Sequence, residues 1–374
     1  PARQLAQHID ETLLIDETLG QVTQGYSLSE RHLRRLFVAA YGVEPKQYLT
    51  TRRLLFAKQL LQDTTIPITD VAFSAGFNTP GRLTINMRQA YGFTPERFRQ
   101  EGAPTKTTGS VTLRADYRPP FDFETLLGIL QARATPFERV EGGTYYRRVG
   151  GFEIGVSNLP EKNRLSIRIP VELSRQSHAI VRRVRALFDL DANPLVIQEA
   201  LGADPLLAAL IAKHPGQRVP GCWDRFELLL RVVIGQHISV AGATTLMRRL
   251  VEQIGGTPAA IAASSPEVIA ALGLTTKRAD TIWNLARLVE AGELNLDERN
   301  PQVFYEQFVA IPGIGPWTAE FLRMRVLRWP DAFPAGDLGL QKAMGLTEKK
   351  LGERANAWKP WRSYAAMWLW RSLK

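Results

Sequence analysis

IPGIGPWTAEF (Ile311–Phe321) and FPAGDLGLQK (Phe333–Lys342) hold the residues of this 374-residue chain best suited to chemistry. Gly313 and Gly315 carry no Cβ, so the turn can take positive φ and leave its N–H groups unshielded. Thr318 follows where the next helix should start, and N–H groups converging on a helix N-terminus make a phosphate site. Asp337 comes 24 residues after Gly313, among Phe333, Pro334, Ala335, Gly336, Leu338 and Leu340, which solvate a charge poorly. The plain use of such an aspartate is a turn or a helix cap. A phosphate anchor with one carboxylate also suits N-glycosidic bond cleavage, where a fixed anion offsets an oxocarbenium-like sugar or orients water. A base must leave the duplex to be cut, and aromatic faces then hold it, at roughly 1–3 kcal/mol per base. The tail ANAWKPWRSYAAMWLWRSL offers Trp358, Trp361, Trp368 and Trp370. Most of these are expected in a core, with one or two facing a ligand.

Those residues need elements to hold them. FYEQFVA before the glycines and WTAEFLRMRVL after them read as two helices, so the turn between is a helix-hairpin-helix that grips a backbone phosphate without reading sequence. From Gln176 onward the pattern is helical almost to the end. Before it, VTLRADY, TYYRRVG, FEIGVSN and RLSIRIPVEL alternate like strands, and FETLLGILQARA interrupts them as a helix. A small antiparallel sheet with one helix is expected over about 111–175, then a helical bundle over 176–374. EGAPTKTTGS, residues 101–110, has a linker's composition.

Residues 1–100 repeat themselves. AYGVEPKQY at 40–48 and AYGFTPERF at 90–98 recur at a spacing of 50, and Gly25-Tyr26 and Gly76-Phe77 at 51. Each half reads as helix, tight turn, helix. In SLSERHLRRLFVAAYG, Ser27 or Ser29 caps a helix whose apolar face is Leu33, Leu36, Phe37 and Ala40, and Gly42 ends it. Arg31, Arg34 and Arg35 fall at its start, where a recognition helix meets DNA. The second half departs, with Pro80 and Gly81 at the start of the matching helix and few arginines beyond.

Composition narrows the class. Lys+Arg number 47 against 37 Asp+Glu, a net charge of +10, which favours polyanion partners. The excess is spread over folded segments rather than gathered in a tail. Cys222 is the one cysteine, and the five histidines lack ligand spacing, so no metal site from side chains is expected. No apolar run or leader suggests a membrane or secretion, so a monomer in a reduced cytoplasm is expected. The chain opens on Pro1, which suggests that residues precede it.

LSERHLRRLF, TRRLLFAKQLL and ITDVAFSAGF resemble the double helix-turn-helix of AraC-type regulators, in the form found in Ada proteins. RPPFDFETLLGIL, PGCWDRFELLLRVVIGQHISVA, IPGIGPWTAEFLRMR, AFPAGD and WKPWRSYAAMWLW resemble the AlkA-type 3-methyladenine DNA glycosylases of the helix-hairpin-helix superfamily, over 111–374. The implied fold class is mainly α with an α+β subdomain: a double helix-turn-helix, a small antiparallel sheet and a helix-hairpin-helix bundle. The implied activity is hydrolysis of the glycosidic bond of alkylated bases in double-stranded DNA, with promoter or non-specific DNA bound by the first domain. By the resemblance, Asp337 is the catalytic carboxylate, and Trp317, Phe321 and Trp370 line the base pocket. Gly313, Gly315 and Thr318 hold a phosphate, and His237 fills the gap left by the flipped base. No cofactor is implied beyond a monovalent cation on hairpin carbonyls. The family's usual plug is leucine, an aspartate often stands at Gly336, and a tyrosine at Phe321. Pro316 and Trp317 stand where bifunctional relatives place a lysine, so no Schiff base is expected. The alternatives are an alkylation-response regulator whose glycosylase fold only binds DNA, and a glycosylase for another lesion.

Overall fold

The computed structural model describes residues 29–100 and 109–373, together with 2, 5, 6, 9 and 10. The N-terminal helices are α1 (Glu30–Tyr41), α2 (Pro45–Asp63), α3 (Ile68–Ser74), α4 (Pro80–Tyr91) and α5 (Pro95–Gln100). Strands β1 (Ser110–Asp116), β2 (Glu138–Glu141), β3 (Thr144–Val149), β4 (Phe152–Leu159) and β5 (Arg164–Pro170) form one antiparallel sheet in the order β1-β5-β4-β3-β2. Helix α6 (Phe123–Ala132) lies between β1 and β2 in the chain. Then follow α7 (Ser177–Leu187), α8 (Pro194–Leu201), α9 (Pro205–Lys213), α10 (Arg225–Ile234), α11 (Val240–Gln253), α12 (Pro258–Ala262) and α13 (Pro266–Ala270). The chain ends through α14 (Thr276–Glu290), α15 (Pro301–Val309), α16 (Pro316–Arg325), α17 (Leu338–Met344), α18 (Glu348–Ala355) and α19 (Arg362–Arg371). By contacts the chain divides into two compact units. One comprises Pro1–Ala115, Arg148–Ser157 and Leu165–Arg183; the other comprises Asp116–Arg147, Asn158–Arg164 and Val184–Lys374.

In the first unit, Ser29 caps α1 by accepting from the His32 N–H at 3.3 Å, and Gly42 ends it with φ +73°. Leu33 and Phe37 are buried with Leu5, Ala6 and Ile9. The buried stripe is narrower than the sequence suggests. Leu36 is half-buried and Ala40 is exposed, while the Phe37 ring packs on Tyr41 and Tyr48, at 4.7 and 5.4 Å. Arg31, Arg34 and Arg35 are left exposed on one side of the helix. Pro80 and Gly81 do not disturb α4. Pro80 sits at its first position, where the missing N–H is no loss, and Thr79 caps it from the Arg82 N–H at 3.2 Å. Gly25-Tyr26, Ser27 and most of the linker, 101–108, lie outside the described residues.

The same unit packs the helix-turn-helix helices against chain from beyond that linker. The buried Ser74 hydroxyl donates to the Ser174 carbonyl at 2.9 Å. Asp63 on α2 pairs with Arg114 on β1 at 3.3 Å. The His178 ring meets Phe56 edge-on at 4.9 Å, and burial, aided by Arg182 and Arg52, pushes its pKa down to about 3.

Among the described residues, the apolar core of the second unit includes two clusters. One gathers α10, α11, α14, α15 and the start of α16, around Phe226, Leu230, Ile282, Phe304, Phe308 and Leu322. The other gathers α8, α9 and α17–α19, around Leu207, Met324, Phe333, Trp358 and Trp368. Trp358 and Trp368 are both core, and each finds a partner for its indole N–H. Trp358 donates to Asp204 at 2.7 Å and Trp368 to the His214 carbonyl at 2.9 Å.

Asp189 gives this unit a pH signature. It is buried at φ +51° and accepts from the Tyr364 hydroxyl at 2.7 Å and the Val219 N–H at 3.3 Å. Burial outweighs those bonds and raises its pKa to about 6. Unfolded, the group titrates near ~3.9. Stability it contributes is therefore fully present below about pH 4 and is lost as pH rises through about 6, a difference of up to about 3 kcal/mol. Urea unfolding of the protein and of Asp189→Asn from pH 4 to 7 checks this. The stability of the native sequence should fall relative to the variant over that range, and a constant difference would refute the assignment.

Candidate active site

The hairpin between α15 and α16 is built by its glycines in two different ways. Gly313 takes φ +90°, and a Cβ there would lie 2.1 Å from the Thr281 hydroxyl. Gly315 does not use positive φ, contrary to the sequence expectation. It is the extended N-cap of α16, with φ −88° and ψ 172°. What it supplies is room, since a Cβ there would meet nothing within 4 Å. No side chain caps α16. Among the described residues, the N–H groups of Gly313, Gly315 and Thr318 have no acceptor, which leaves a helix N-terminus open to an anion.

Thr318 itself is turned inward. Its hydroxyl is buried and accepts from Gln236 at 3.1 Å, so only its N–H faces the anion site. Gln236, which the sequence reading missed, donates also to the Gly313 carbonyl at 3.2 Å. It ties the hairpin to the loop after α10, and Arg278 holds the same loop through the Gln236 carbonyl. The next residue, His237, is exposed and stands at φ +56°. A non-glycine residue there costs on the order of 1–3 kcal/mol and persists only where its surroundings enforce it.

Asp337 is both the helix cap and the pocket acid. Its Oδ1 caps α17 by accepting from the Leu340 N–H at 3.0 Å and also accepts from the Trp370 indole at 2.9 Å. Its Oδ2 accepts from the Trp317 indole at 3.0 Å. The apolar neighbours do not enclose it as the sequence suggests: Leu338 is 78% exposed, and the carboxylate is instead set among N–H donors. Gly339 makes this possible, because a Cβ there would lie 2.9 Å from Asp337 Oδ1 and 3.4 Å from the Trp370 ring. Trp317 stacks on Phe321 at 5.5 Å and 21°, and Phe321 lies 6.2 Å from Trp370. All four residues line one cavity of about 450 Å³. Gly235, Ile238, Ser239 and Val240, around His237, line it too. Of the four tail tryptophans, only Trp370 lines this cavity.

The cavity also collects charges that no motif announced. Arg147 donates to both oxygens of Glu227, at 3.1 and 2.7 Å, and Thr135 donates to Glu227 at 2.6 Å. Glu138 accepts from Tyr145 at 2.7 Å, and burial raises its pKa. Arg133, Arg231 and Arg325 complete the wall. Their sequence contexts are those of ordinary helix arginines, so only the packing shows them. Among the described residues, no group of His, Cys, Asp and Glu could hold a metal ion. Nor is any described helix long and apolar enough to cross a membrane.

If the Trp370 indole helps to fix the Asp337 carboxylate, Trp370→Phe should keep the ring and lose the bond. Base release under single-turnover conditions should slow about tenfold, equivalent to ~1.4 kcal/mol, with duplex affinity retained. An unchanged rate would remove the indole from the site.

Comparison with known proteins fits this geometry. A helix-turn-helix domain family matches residues 23–101, the AlkA N-terminal domain matches 112–224, and the HhH-GPD superfamily of base excision DNA repair proteins matches 230–351. The chain is 36% identical to a probable bifunctional transcriptional activator/DNA repair enzyme AlkA of Mycobacterium tuberculosis, over 100% of this chain and 80% of that protein. It is 32% identical to DNA-3-methyladenine glycosylase 2 of Escherichia coli, over 68% of this chain and 95% of that protein. The 3-methyladenine DNA-glycosylase of Archaeoglobus fulgidus shares its fold, with a TM-score of 0.61 at 23% identity over 69% of this chain and 97% of that one. The chain belongs to the AlkA family of DNA glycosylases, in the form that joins the glycosylase to an AraC-type helix-turn-helix domain.

Proposed function

We propose that this glycosylase releases alkylated purines that carry positive charge, such as 3-methyladenine and 7-methylguanine, by hydrolysis alone. The carrying observation is the Asp337 carboxylate, fixed by two indole N–H groups whose rings line the same cavity. An electron-poor base stacks well on Trp317, Phe321 and Trp370, because aromatic faces attract cations. A charged base is already a good leaving group. The C1′–N bond breaks with its electron pair going to the base, and charge builds on the sugar. Asp337 stabilises that charge, water adds to C1′, and the water's proton passes to solvent. The donors that hold Asp337 also keep it from swinging onto the sugar.

The hairpin N–H groups of Gly313, Gly315 and Thr318 would hold a phosphate beside the lesion. The Pro312 and Gly313 carbonyls each receive one side-chain hydrogen bond, from Thr281 at 3.3 Å and Gln236 at 3.2 Å, which leaves each a lone pair for a monovalent cation. No other cofactor enters the reading. With Pro316 and Trp317 after the hairpin and no lysine, the product is an intact abasic strand. Arg31, Arg34 and Arg35 give the first domain its grip on promoter or non-specific DNA. The enzyme works as a monomer in the cytoplasm, where the half-buried Cys222 thiol, its pKa pushed up to about 11 by desolvation, stays reduced.

Asp337→Asn tests the chemistry. It should reduce release of 7-methylguanine by about 10²-fold or more while duplex binding holds, since it keeps the shape and loses the charge. Near-normal release would sink the role, and a borohydride-trapped covalent adduct would refute hydrolysis alone.

His237 tests the plug. Exposed, in the left-handed conformation and beside a loop anchored through Gln236, it is presented outward with no side-chain partner among the described residues. His237→Ala should weaken binding to DNA with an abasic-site analogue more than binding to intact duplex, because unstacking a base costs a few kcal/mol (roughly 2–4) that a plug partly offsets. Equal losses on both DNAs would make it a general contact.

A further inference from the structure

The cavity is larger and more cationic than a methylated base needs. Its volume of about 450 Å³ lies among pockets for drug-sized ligands, which span roughly 300–1,000 Å³. Beyond Trp317, Phe321, Trp370 and Asp337, its largely apolar wall includes Arg133 after α6, Arg231 on α10 and Arg325 at the end of α16. One guanidinium thus arrives from each of three separate helical regions.

The carboxylates facing the cavity are otherwise engaged. Asp337 accepts the indole and backbone N–H groups already described. Asp224 caps α10 through the Glu227 N–H at 2.8 Å. Glu227 is taken by Arg147 and Thr135. Glu138 accepts from Tyr145 and lies 3.9 Å from Arg147. Among the described residues, neither Arg133 nor Arg231 nor Arg325 has a carboxylate at ion-pair distance. Arg325 is buried, donates to the Pro220 and Gly221 carbonyls and lies 5.6 Å over the Phe321 ring. Arg231 donates through one terminal nitrogen to Val240 and Thr244, each at 3.1 Å, and its buried Nε has no partner. Arg133 makes no side-chain hydrogen bond among the described residues. Burial, and then the charge of Arg133, lowers the pKa of both Arg231 and Arg325 to about 10. Glu138 offsets this only in part. Arg371 lines the cavity as well, next to Trp370.

Guanidiniums with no carboxylate partner, partly withdrawn from solvent, are costly, and they oppose a purely cationic guest. An anion brought in with the guest would remove both penalties, and a planar guanidinium matches a carboxylate with two parallel bonds. We propose that Arg133, Arg231 and Arg325 form a subsite for a carboxylate on the alkyl group of the extruded base, so that the enzyme takes carboxyalkylated purines in preference to methylated ones. The cationic ring lies on Trp317, Phe321 and Trp370, and the carboxylate tail reaches the arginines. This rests on the reading of the site as one for alkylated purines. A DNA phosphate could supply the same anion chemistry, and the test separates the two.

Release of 7-carboxymethylguanine and of 7-methylguanine from otherwise identical duplexes would be measured for the full chain, Arg133→Gln, Arg133→Lys and Arg231→Gln. The native protein should show the higher kcat/KM on the carboxymethyl base. Arg133→Gln should lower that value tenfold or more and raise the methyl value up to a few fold, so that the two rates move in opposite directions. Arg133→Lys should restore part of the carboxymethyl rate. Arg231→Gln, checked by its melting temperature, should act in the same sense. Parallel losses on both bases would assign the arginines to a phosphate or to the fold and overturn the subsite. No change on either base, or a native preference for the methyl base, would overturn it too. Failure of the native protein to release 7-methylguanine would instead remove the alkylated-purine reading and the subsite with it.

Discussion

The carboxylate of Asp337 is the point on which the glycosylase unit is assembled. Its bonds come from Trp317 on α16, Leu340 on α17 and Trp370 on α19, so three helices are fixed in position by one side chain. Each of those helices carries something else the site needs. Helix α16 begins at the hairpin, α17 is capped by the carboxylate, and α19 is anchored in the core by Trp368. The constraint runs outward from there. Gly339 must lack a side chain for Trp370 to reach Asp337, and Gly313 must lack one for the hairpin to sit against Thr281. A charge-assisted bond is about twice as strong as a neutral one, so this arrangement holds the acid more firmly than capping alone would.

A second link couples the phosphate end of the site to the plug. Gln236 donates to the Gly313 carbonyl and the Thr318 hydroxyl, and Arg278 binds the Gln236 carbonyl. The hairpin and the His237 loop are therefore one hydrogen-bonded body. Strain at His237, with φ +56°, is held in place by that body. Local strain at a position held by bonds on its neighbour is the pattern expected where a side chain must be presented to a partner rather than packed.

Much of this was legible in the sequence, for reasons that differ by residue. The hairpin could be read because glycine spacing reports a backbone need. Asp337, Trp317, Phe321 and Trp370 could be read through resemblance, and they do share a cavity. Where reading failed, the cause was direction rather than identity. Thr318 stands at the expected position and offers its N–H as expected, but its hydroxyl is turned inward, where it accepts from the half-buried Gln236. Gly315 is needed for open space and not for its φ. Pro80, where the second half departs from the first, stands in the first turn of α4, whose N–H groups have no intrahelical acceptor to lose. Arg133, Arg231 and Arg325 could not have been singled out, because local sequence gives no sign that their side chains line a cavity, and nothing near Gln236 in sequence shows that it bonds the hairpin.

The division of the chain shows the same limit on a larger scale. Composition marks 101–110 as a linker, and a linker implies independent bodies on either side. Yet Ser74 donates to Ser174, Asp63 pairs with Arg114, and Phe56 covers His178, all inside one compact unit. The His178 contact is the telling one. Its pKa near 3 means that the ring is neutral at any ordinary pH, so it serves this packing as an apolar plate and not as a charge. Two side chains of the helix-turn-helix helices, Phe56 and Ser74, are thus completed by residues of the next family's domain, 112–224. The boundary that composition draws is one of sequence families, whereas burial follows contacts, and the helix-turn-helix helices here bury part of their surface on the chain that follows them.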